Sequence, residues 1–534
     1  MRRTSPHTDR PHRRKASVLI VVLVVIGLLS LGAYTFSEFM LIEATSSNFH
    51  LSSAQSRAAA DSGVELVASY LADRTQRTSS LSFSAPTLFQ NQSLGTDSDG
   101  NDDLLARFSV VSPNSNDPSG GSIRFGLVDE SAKINLNTLA TMDLEEVQRQ
   151  QLLLDIPLMT PEIADAILDW LDEDSLARPS GAEQDSYSGQ SPTVTVRNGP
   201  ISSLDELLLV RGVTPDLLFG EDLNRNGLLD PNENDGPAQP PIDNADGQLQ
   251  RGWIEYFTIH GRESNVRVDG SKKININNPD LDALFTAVQQ ELGLDTAKFI
   301  IAYRTVQQST GGPGSPEVPG NGRRRNSGSG NNSNQPPELV GGIDISGGSK
   351  VNVASLYELI GKEMQVKVDG SNTTLKSPWQ KEPSEMIRYL PTLHDTFALD
   401  DAEYRPGRIN INQAPQEILM NIPGLDPQVV QSIVAARDTV DASDDSPDRV
   451  TAGWLVVRQL VTLEKMIELD PYLTAQGDVY HFQVVGYSER GGPMNRLEAI
   501  LDASGLNPVL LKFQDLSRLG SGYSREQLGV PPPP

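Results

Sequence analysis

The chain has 534 residues, no cysteine, and 70 acidic against 44 basic residues, for a formal net charge of −26. That length is enough for several domains at roughly 100 to 200 residues each. The missing cysteines exclude disulfides, thiol catalysis and cysteine-ligated zinc, and the acidic balance argues against a body built to neutralise nucleic-acid phosphates. Six basic residues (Arg2, Arg3, Arg10, Arg13, Arg14 and Lys15) crowd the first fifteen positions against one acid, Asp9. This asymmetry predicts a cytoplasmic N-terminus with the acidic body on the far side of a membrane.

Ala16 to Ser37 is an uncharged run of 22 residues, long enough to cross a hydrocarbon core of roughly 30 Å as one helix. No proline follows until Pro86, and Phe39, Ile42, Phe49, Ala60, Val64, Val67 and Leu71 recur at spacings near three and four. The spacing predicts one long helix, half in lipid and half out. On this stretch alone, a signal anchor or a signal peptide cut near Ala33 gives the same pattern. Ser79 to Asp103 reads as a loop. Leu105 to Val111 and Ser122 to Asp129 read as two strands of a hairpin, the start of an antiparallel sheet that covers the exposed half of the helix.

At Lys133 the sequence K-I-N-L-N-T starts a short strand running into helical periodicity, with Asn137 or Thr141 as cap and Leu144 to Leu154 as the apolar face. Thr160 and Pro161 then open a second helix with Ile163, Ile167 and Leu171 on one side. The pattern returns as K-I-N-I-N-N at Lys273, K-V-N-V-A-S at Lys350 and R-I-N-I-N-Q-A-P at Arg408. Four strand-then-helix starts are expected, three of them with a helix-hairpin-helix partner; the last has the turn I-P-G-L-D-P and Asp426 as cap. Gln308 to Gly348 is a flexible Gly/Pro/Ser/Asn-rich linker in which Arg323 to Arg325 are a solvated patch. Asp478 to Gly486 and Met494 to Leu501 read as an antiparallel pair closing the sheet, followed by a tail that frays.

Two acidic stretches carry the candidate chemistry. From Asp222, oxygen-bearing side chains occupy positions one, three, five, nine and twelve (Asp222, Asn224, Asn226, Asp230 and Glu233), with Gly227 at six and the Leu228 carbonyl at seven. Calcium takes six to eight oxygens, the glycine permits the turn, and the last Glu can bind through both oxygens; the flanks lack long helices, so a structural clamp is expected. The bland alternative is a polar Asn-Gly turn. The second stretch, Asp169 to Tyr187, gathers Asp169, Asp172, Asp174 and Glu183. These carboxylates repel one another unless a cation is shared, or else form a solvated acidic loop. Enzyme signatures are missing. The six histidines are scattered, no nucleophile elbow occurs, and Gly348 stands where a phosphate loop spanning Gly342 to Gly347 needs lysine.

The basic leader, the apolar run and R-A-A-A-D-S-G-V-E-L at Arg57 to Leu66 resemble the N-terminal helix of type IV pilin-like proteins, in particular the minor pseudopilin K (general secretion pathway protein K) family of type II secretion systems. Asp169 to Tyr187 and Arg197 to Pro215 resemble that family's helical domain, and the likeness extends over Asp129 to Pro215 and Arg408 to Asp502. The resemblance implies an α+β fold: a type IV pilin-like N-terminal helix packed on an antiparallel sheet, with an inserted α-helical (helix-hairpin-helix/SAM-like) domain. It implies peptidase cleavage at Ala16-Ser17, where the usual leader Gly is replaced by Ala. The fifth mature residue is then Val21 in place of the Glu that most pilins carry, as in the K pseudopilins, which suits a subunit at the filament tip.

The resemblance also implies bound calcium in the helical domain, at Asp172, Asp174 and Glu183. Its implied partners are the minor pseudopilins I and J, the major pseudopilin, the inner membrane, and the outer-membrane secretin or secreted substrate, with no nucleic acid. The expected location is the bacterial inner membrane, single-pass, with a periplasmic body. The expected divisions are a leader (1–16), a membrane half-helix (17–37), pilin-like helix and strands (38–130), a helical domain with the calcium loop (131–235), an added strand and hairpin unit (236–307), the linker (308–348), a third strand-helix unit (349–404), the last hairpin with closing strands (405–505) and the tail (506–534). The rival readings are a membrane-anchored helix-hairpin-helix DNA-binding protein of the competence type and a calcium-dependent periplasmic scaffold.

Overall fold

The computed structural model describes residues 15–77, 84–94, 106–114, 117, 119–142, 144–188, 194–238, 243–306, 338–438, 447–488 and 491–530. The leader up to residue 14, most of the expected linker and Arg323 to Arg325 lie outside them. Helix α1 runs unbroken from Lys15 to Ala72, 58 residues. Every residue from Val18 to Leu51 is exposed, and α1 contains an 18-residue window with a mean hydropathy of 2.6. Among the described residues it is the one helix long and apolar enough to cross a membrane. From Ser52 onward one side turns inward, burying Ser56, Ala59, Ala60, Val64, Val67 and Leu71 at helical spacing.

That side rests on an antiparallel sheet made of β1 (Gln92–Ser93), β2 (Ala106–Pro113), β3 (Ile123–Arg124), β4 (Val128–Asp129), β5 (Val479–Ser488), β6 (Asn495–Asp502) and β7 (Val509–Asp515). The order is β1-β2-β5-β6-β7, with β3 added to β2 and β4 to β5. Val484 stands opposite Val110 on one side and Leu497 on the other. This register places Phe108, Val110, Tyr480, Phe482, Val484, Leu497, Ala499 and Leu501 on the face under α1. Each large aliphatic side chain buried there contributes about 1.5–3 kcal/mol. The opposite face carries a second cluster, Val111, Val485 and Tyr487 with Leu228, Tyr523, Leu528 and Val530. The end of the chain therefore differs from the expected tail. V-L-L-K-F-Q-D forms the edge strand β7, and Tyr523 to Val530 seal the sheet, because the apolar residues between the prolines have a face to cover.

From Glu130 to Asp478 the chain leaves the sheet and returns, building α2 (Glu146–Leu154), α3 (Pro161–Leu171), α4 (Leu281–Leu292), α5 (Leu294–Thr305), α6 (Pro383–Thr396), α7 (Gln416–Met420) and α8 (Pro427–Asp438). Three units share one plan and one continuous apolar core. In each, a two-residue strand from the I-N motif pairs in parallel with a distant return strand: Ile134–Asn135 with Phe257–Thr258, Ile274–Asn275 with Phe397–Ala398, Ile409–Asn410 with Leu473–Thr474. A pair of short helices follows each first strand.

The two asparagines of the motif explain the recurrence. The first turns the chain, its Oδ1 accepting from Thr138 N (3.3 Å), Asn277 N (2.8 Å) or Asn412 N (2.9 Å). The second stitches the unit shut. Asn137 exchanges two bonds with Ile201 (2.9 and 2.8 Å). Asn277 exchanges two with Val353 (2.9 Å each) and donates to Leu399 O (3.0 Å). Asn412 donates to Ala475 O (2.8 Å) and accepts from Trp454 Nε1 (3.0 Å). Losing these bonds leaves buried backbone groups unpaired, so Asn277→Ala is expected to destabilise its unit by about 2–3 kcal/mol, read as faster hydrogen exchange at the Val353 amide.

The stretch at Lys350 is a correction to the expected four starts. Val351 to Val353 form no strand. Val353 plays the part of Ile201, and Ser355 caps the short helical turn Leu356–Leu359 as Ser203 caps Leu204–Leu209. The segment 349–404 is thus the second half of the unit that opens at Lys273. The first cap also differs: Asn135 caps a single turn, and α2 starts later, under a capping box of Glu145 and Gln148.

Candidate metal centres

Helix α3 is amphipathic in an unusual way, with acids on its buried side. Asp165 and Asp169 are 5% and 0% exposed, and both hold the loop that follows. Asp165 accepts from Gln150 Nε2 (2.7 Å) and Ser180 N (3.1 Å). Asp169 accepts from Ala182 N (2.7 Å), Arg178 N (3.2 Å) and Arg178 Nη1 (2.7 Å). The loop passes so close that a Cβ on Gly181 would sit 1.9 Å from Asp169 Oδ2. Asp169, one of the four acids singled out by spacing, is therefore taken up by backbone and arginine.

The other three converge: carboxylate oxygens of Asp172, Asp174 and Glu183 lie within 4.8 Å of one another. Glu183 is 7% exposed, and neither of its oxygens accepts a hydrogen bond; Asp172 Oδ1 is buried and equally unsatisfied. Burial, then the neighbouring carboxylates, push the Glu183 carboxyl up. Burial does the same to Asp172 against the opposing pull of Arg178. Buried, unpartnered anionic oxygens at this separation suit a hard cation of the calcium or magnesium kind.

The loop Asp222 to Glu233 is arranged differently. Asp222 accepts from Asn226 N (3.0 Å) and Gly227 N (2.8 Å), Asn224 Oδ1 from Asn226 N (2.9 Å), and Asn226 Oδ1 from Leu228 N (2.7 Å). Asp230 Oδ2 accepts from the Asn224 and Asn226 amides (2.6 and 3.0 Å), and Glu233 accepts from Leu223 N and Asp230 N (3.0 and 3.1 Å). Gly227 has φ +70°, as the sharp turn requires. The loop is bolted to the sheet: Gln483 Nε2 donates to Arg225 O (2.7 Å), Arg496 to Asn224 O, and Asn226 Nδ2 to Gly522 O (2.7 Å). Between this bolt and the end of β4 lies a cavity of about 270 Å³, lined by Glu130, Lys133, His481, Glu498 and Lys512 among others. Spacing alone favours the 222–233 loop as the cation site, whereas free buried oxygens mark 172–183. At the other end, Ala16 and Ser17 lie in the first turn of α1, and Val21 is exposed on it.

Residues 132–219 match the family model described as Type II secretion system (T2SS), protein K. Across that segment the chain is similar to the type II secretion system protein K family. The protein K segment contains Asp172, Asp174 and Glu183 and ends just before the 222–233 loop. No curated protein matches the chain. A similar solved structure is the crystal structure of the GspK-GspI-GspJ complex from the enterotoxigenic Escherichia coli type 2 secretion system. It is 10% identical, covers 89% of this chain and 98% of that one, and has a TM-score of 0.35.

Glu233 gives the second loop a pH signature. Burial first, then the Asp222 and Asp230 charges, push its carboxyl up to about 7 from 4.5. A raised acid favours the folded state at low pH, so stability contributed here falls as pH rises from about 4.5 to about 7 and is flat above. In chelator, thermal midpoints are expected to fall across that window, and Glu233→Gln to flatten the fall.

Proposed function

We propose that the chain is the minor pseudopilin K of a type II secretion system, a structural rather than catalytic subunit at the tip of the pseudopilus. The protein K match over 132–219 carries this reading, because it falls on the segment that interrupts a helix-on-sheet body. The exposed half of α1 supports a single-pass anchor in the inner membrane, and the basic leader supports a periplasmic body. Val21 at the fifth mature position leaves the subunit unable to neutralise a neighbour's buried N-terminal amine, which favours the end of a fibre over its middle. In the Escherichia coli complex the companions of GspK are GspI and GspJ. The corresponding minor pseudopilins are the partners proposed here, with the major pseudopilin below and the secretin or the secreted substrate above.

Calcium at Asp172, Asp174 and Glu183, and at the loop formed by Asp222, Asn224, Asn226, Leu228, Asp230 and Glu233, would stiffen the helical insertion. Mass spectrometry of the membrane-extracted chain, co-expressed with the minor pseudopilins I and J of its own system, tests the proposal. A start at N-methylated Ser17 and recovery of all three subunits together are expected. A start near Tyr34, an uncut Met1, or failure of I and J to co-purify would overturn it.

A further inference from the structure

Arg178 stands among the acids of the protein K segment, and its side chain is 10% exposed. Its guanidinium pairs with Asp169 Oδ1 (2.7 Å), Asp172 Oδ2 (2.5 Å) and Glu146 at the start of α2. The three acids it touches and the three that converge have one member in common, Asp172. That residue serves both sets: Oδ2 is held by Arg178, Oδ1 is buried and unsatisfied, and the carboxylate comes within 4.8 Å of oxygens of Asp174 and Glu183. The cluster thus has two adjoining cation places, one permanently filled by a side chain and one marked by free oxygens.

We propose that Arg178 is a built-in counter-cation of this cluster. It keeps the acidic loop folded without a metal and weakens the binding of a single divalent ion in the adjoining place by sharing Asp172 with it. The inference rests on reading Asp172, Asp174 and Glu183 as a cation site. The physical reason is electrostatic. The carboxylates of Glu146, Asp169, Asp172, Asp174 and Glu183 repel one another in a partly desolvated cluster, and the guanidinium offsets that repulsion over the side facing α2 and α3. A second cation on the same carboxylate feels the guanidinium as a like charge. Arginine suits the role because its planar fork reaches several carboxylates at once and never loses its charge. Asn198 steadies the arrangement from the other side, its Nδ2 donating to Asp174 O and to Ser175 Oγ.

The test uses the full-length chain in detergent, with calcium as probe, and reads both affinity by equilibrium dialysis and thermal midpoint in calcium against chelator. Glu183→Gln is expected to remove one bound calcium and its share of the midpoint rise. Arg178→Gln is expected to bind that same ion about tenfold more tightly, within the usual range for coupled sites. It should also show a calcium-induced rise in midpoint at least twice that of the wild type, because the loop then depends on the metal for its charge balance. Arg178→Lys, which keeps the charge, is expected to stay near wild type in affinity.

If Arg178→Gln lowers the midpoint equally with and without calcium and leaves affinity unchanged or weaker, Arg178 merely positions the loop and the proposal is overturned. If Glu183→Gln removes no bound calcium, the cation site itself is absent and the inference falls with it. Co-purification with the minor pseudopilins is a separate measurement and is decided separately.

Discussion

Replacing Asp129 by alanine is expected to destabilise the protein by about 3–5 kcal/mol, the usual range for stranding the partners of a buried charged group, and to loosen the insertion from the sheet. Asp129 is fully buried at the point where β4 ends and the insertion begins. Its carboxylate accepts from Ser131 N (2.8 Å) in the first unit, Asn410 Nδ2 (2.8 Å) in the third, and Gly477 N (2.5 Å) just before β5. One side chain therefore joins both ends of the insertion to the strand they interrupt. The approach is close enough that a Cβ on Gly477 would lie 2.1 Å from Ser131 Oγ.

Burial pushes the Asp129 carboxyl up to about 6 from 3.8, against the pull of its three donors. The sign follows from the raised value: the contribution to stability is greatest below about pH 4, declines as pH rises to about 6, and is constant above. Asp129→Asn is expected to lose that slope and part of the bonding, because an NH2 group then faces an N–H donor. Urea unfolding between pH 4 and 7, with hydrogen exchange at Gly477 as the local probe, checks both variants. A change below about 1 kcal/mol for Asp129→Ala would contradict the role given to it.

The long helix and the repeat were legible because both are written in residues next to one another. A 22-residue apolar run and a helical stripe after it need no knowledge of what they meet, and the I-N-x-N motif recurs because each copy solves the same local problem of turning and closing. Their return strands were not legible. Phe257–Thr258, Phe397–Ala398 and Leu473–Thr474 are two residues long and pair in parallel with partners 64 to 123 positions away, so no periodicity marks them. The same limit explains Lys350. K-V-N-V looks like the motif, but Val353 already serves Asn277 as its closing partner. At the candidate metal centres, carboxylate density pointed to the loop from 169 to 187, yet it could not divide Asp169, held by the backbone and Arg178, from Glu183, whose oxygens accept no hydrogen bond. The lone arginine in D-E-D-S-L-A-R was the available signal for Arg178, and only the folded loop shows which oxygen of Asp172 it takes.

Gly486→Val is expected to lift α1 from the sheet and to cost more than about 4 kcal/mol, a size that point substitutions reach only through a named steric or burial defect. Gly486 lies in β5 where the helix crosses most closely. A Cβ there would stand 2.0 Å from Ser56 O and 2.6 Å from Ala60 N. Both are backbone atoms of a continuous helix, so no rotamer change relieves the clash. Moving the helix breaks the bonds Ser56 Oγ to Pro493 O (2.9 Å) and Asn495 Nδ2 to Ser53 O (3.0 Å), and it uncovers the cluster around Val64, Val67, Phe108 and Val484.

Gly63→Ala is the control that separates crowding from displacement. Its Cβ would meet Val484 Cγ1 at 2.5 Å and Phe108 Cδ2 at 2.8 Å, side-chain atoms that can shift, so a milder loss of about 1–3 kcal/mol is expected. Hydrogen exchange over 52–72 and protease cleavage after Ala72 read the difference: Gly486→Val frees that half of α1, and Gly63→Ala leaves it protected. The contact matters to the proposed tip role because any force passed up a membrane-anchored α1 reaches the body through it. A body that folds and co-purifies normally with α1 detached would show that the helix serves as a tether alone.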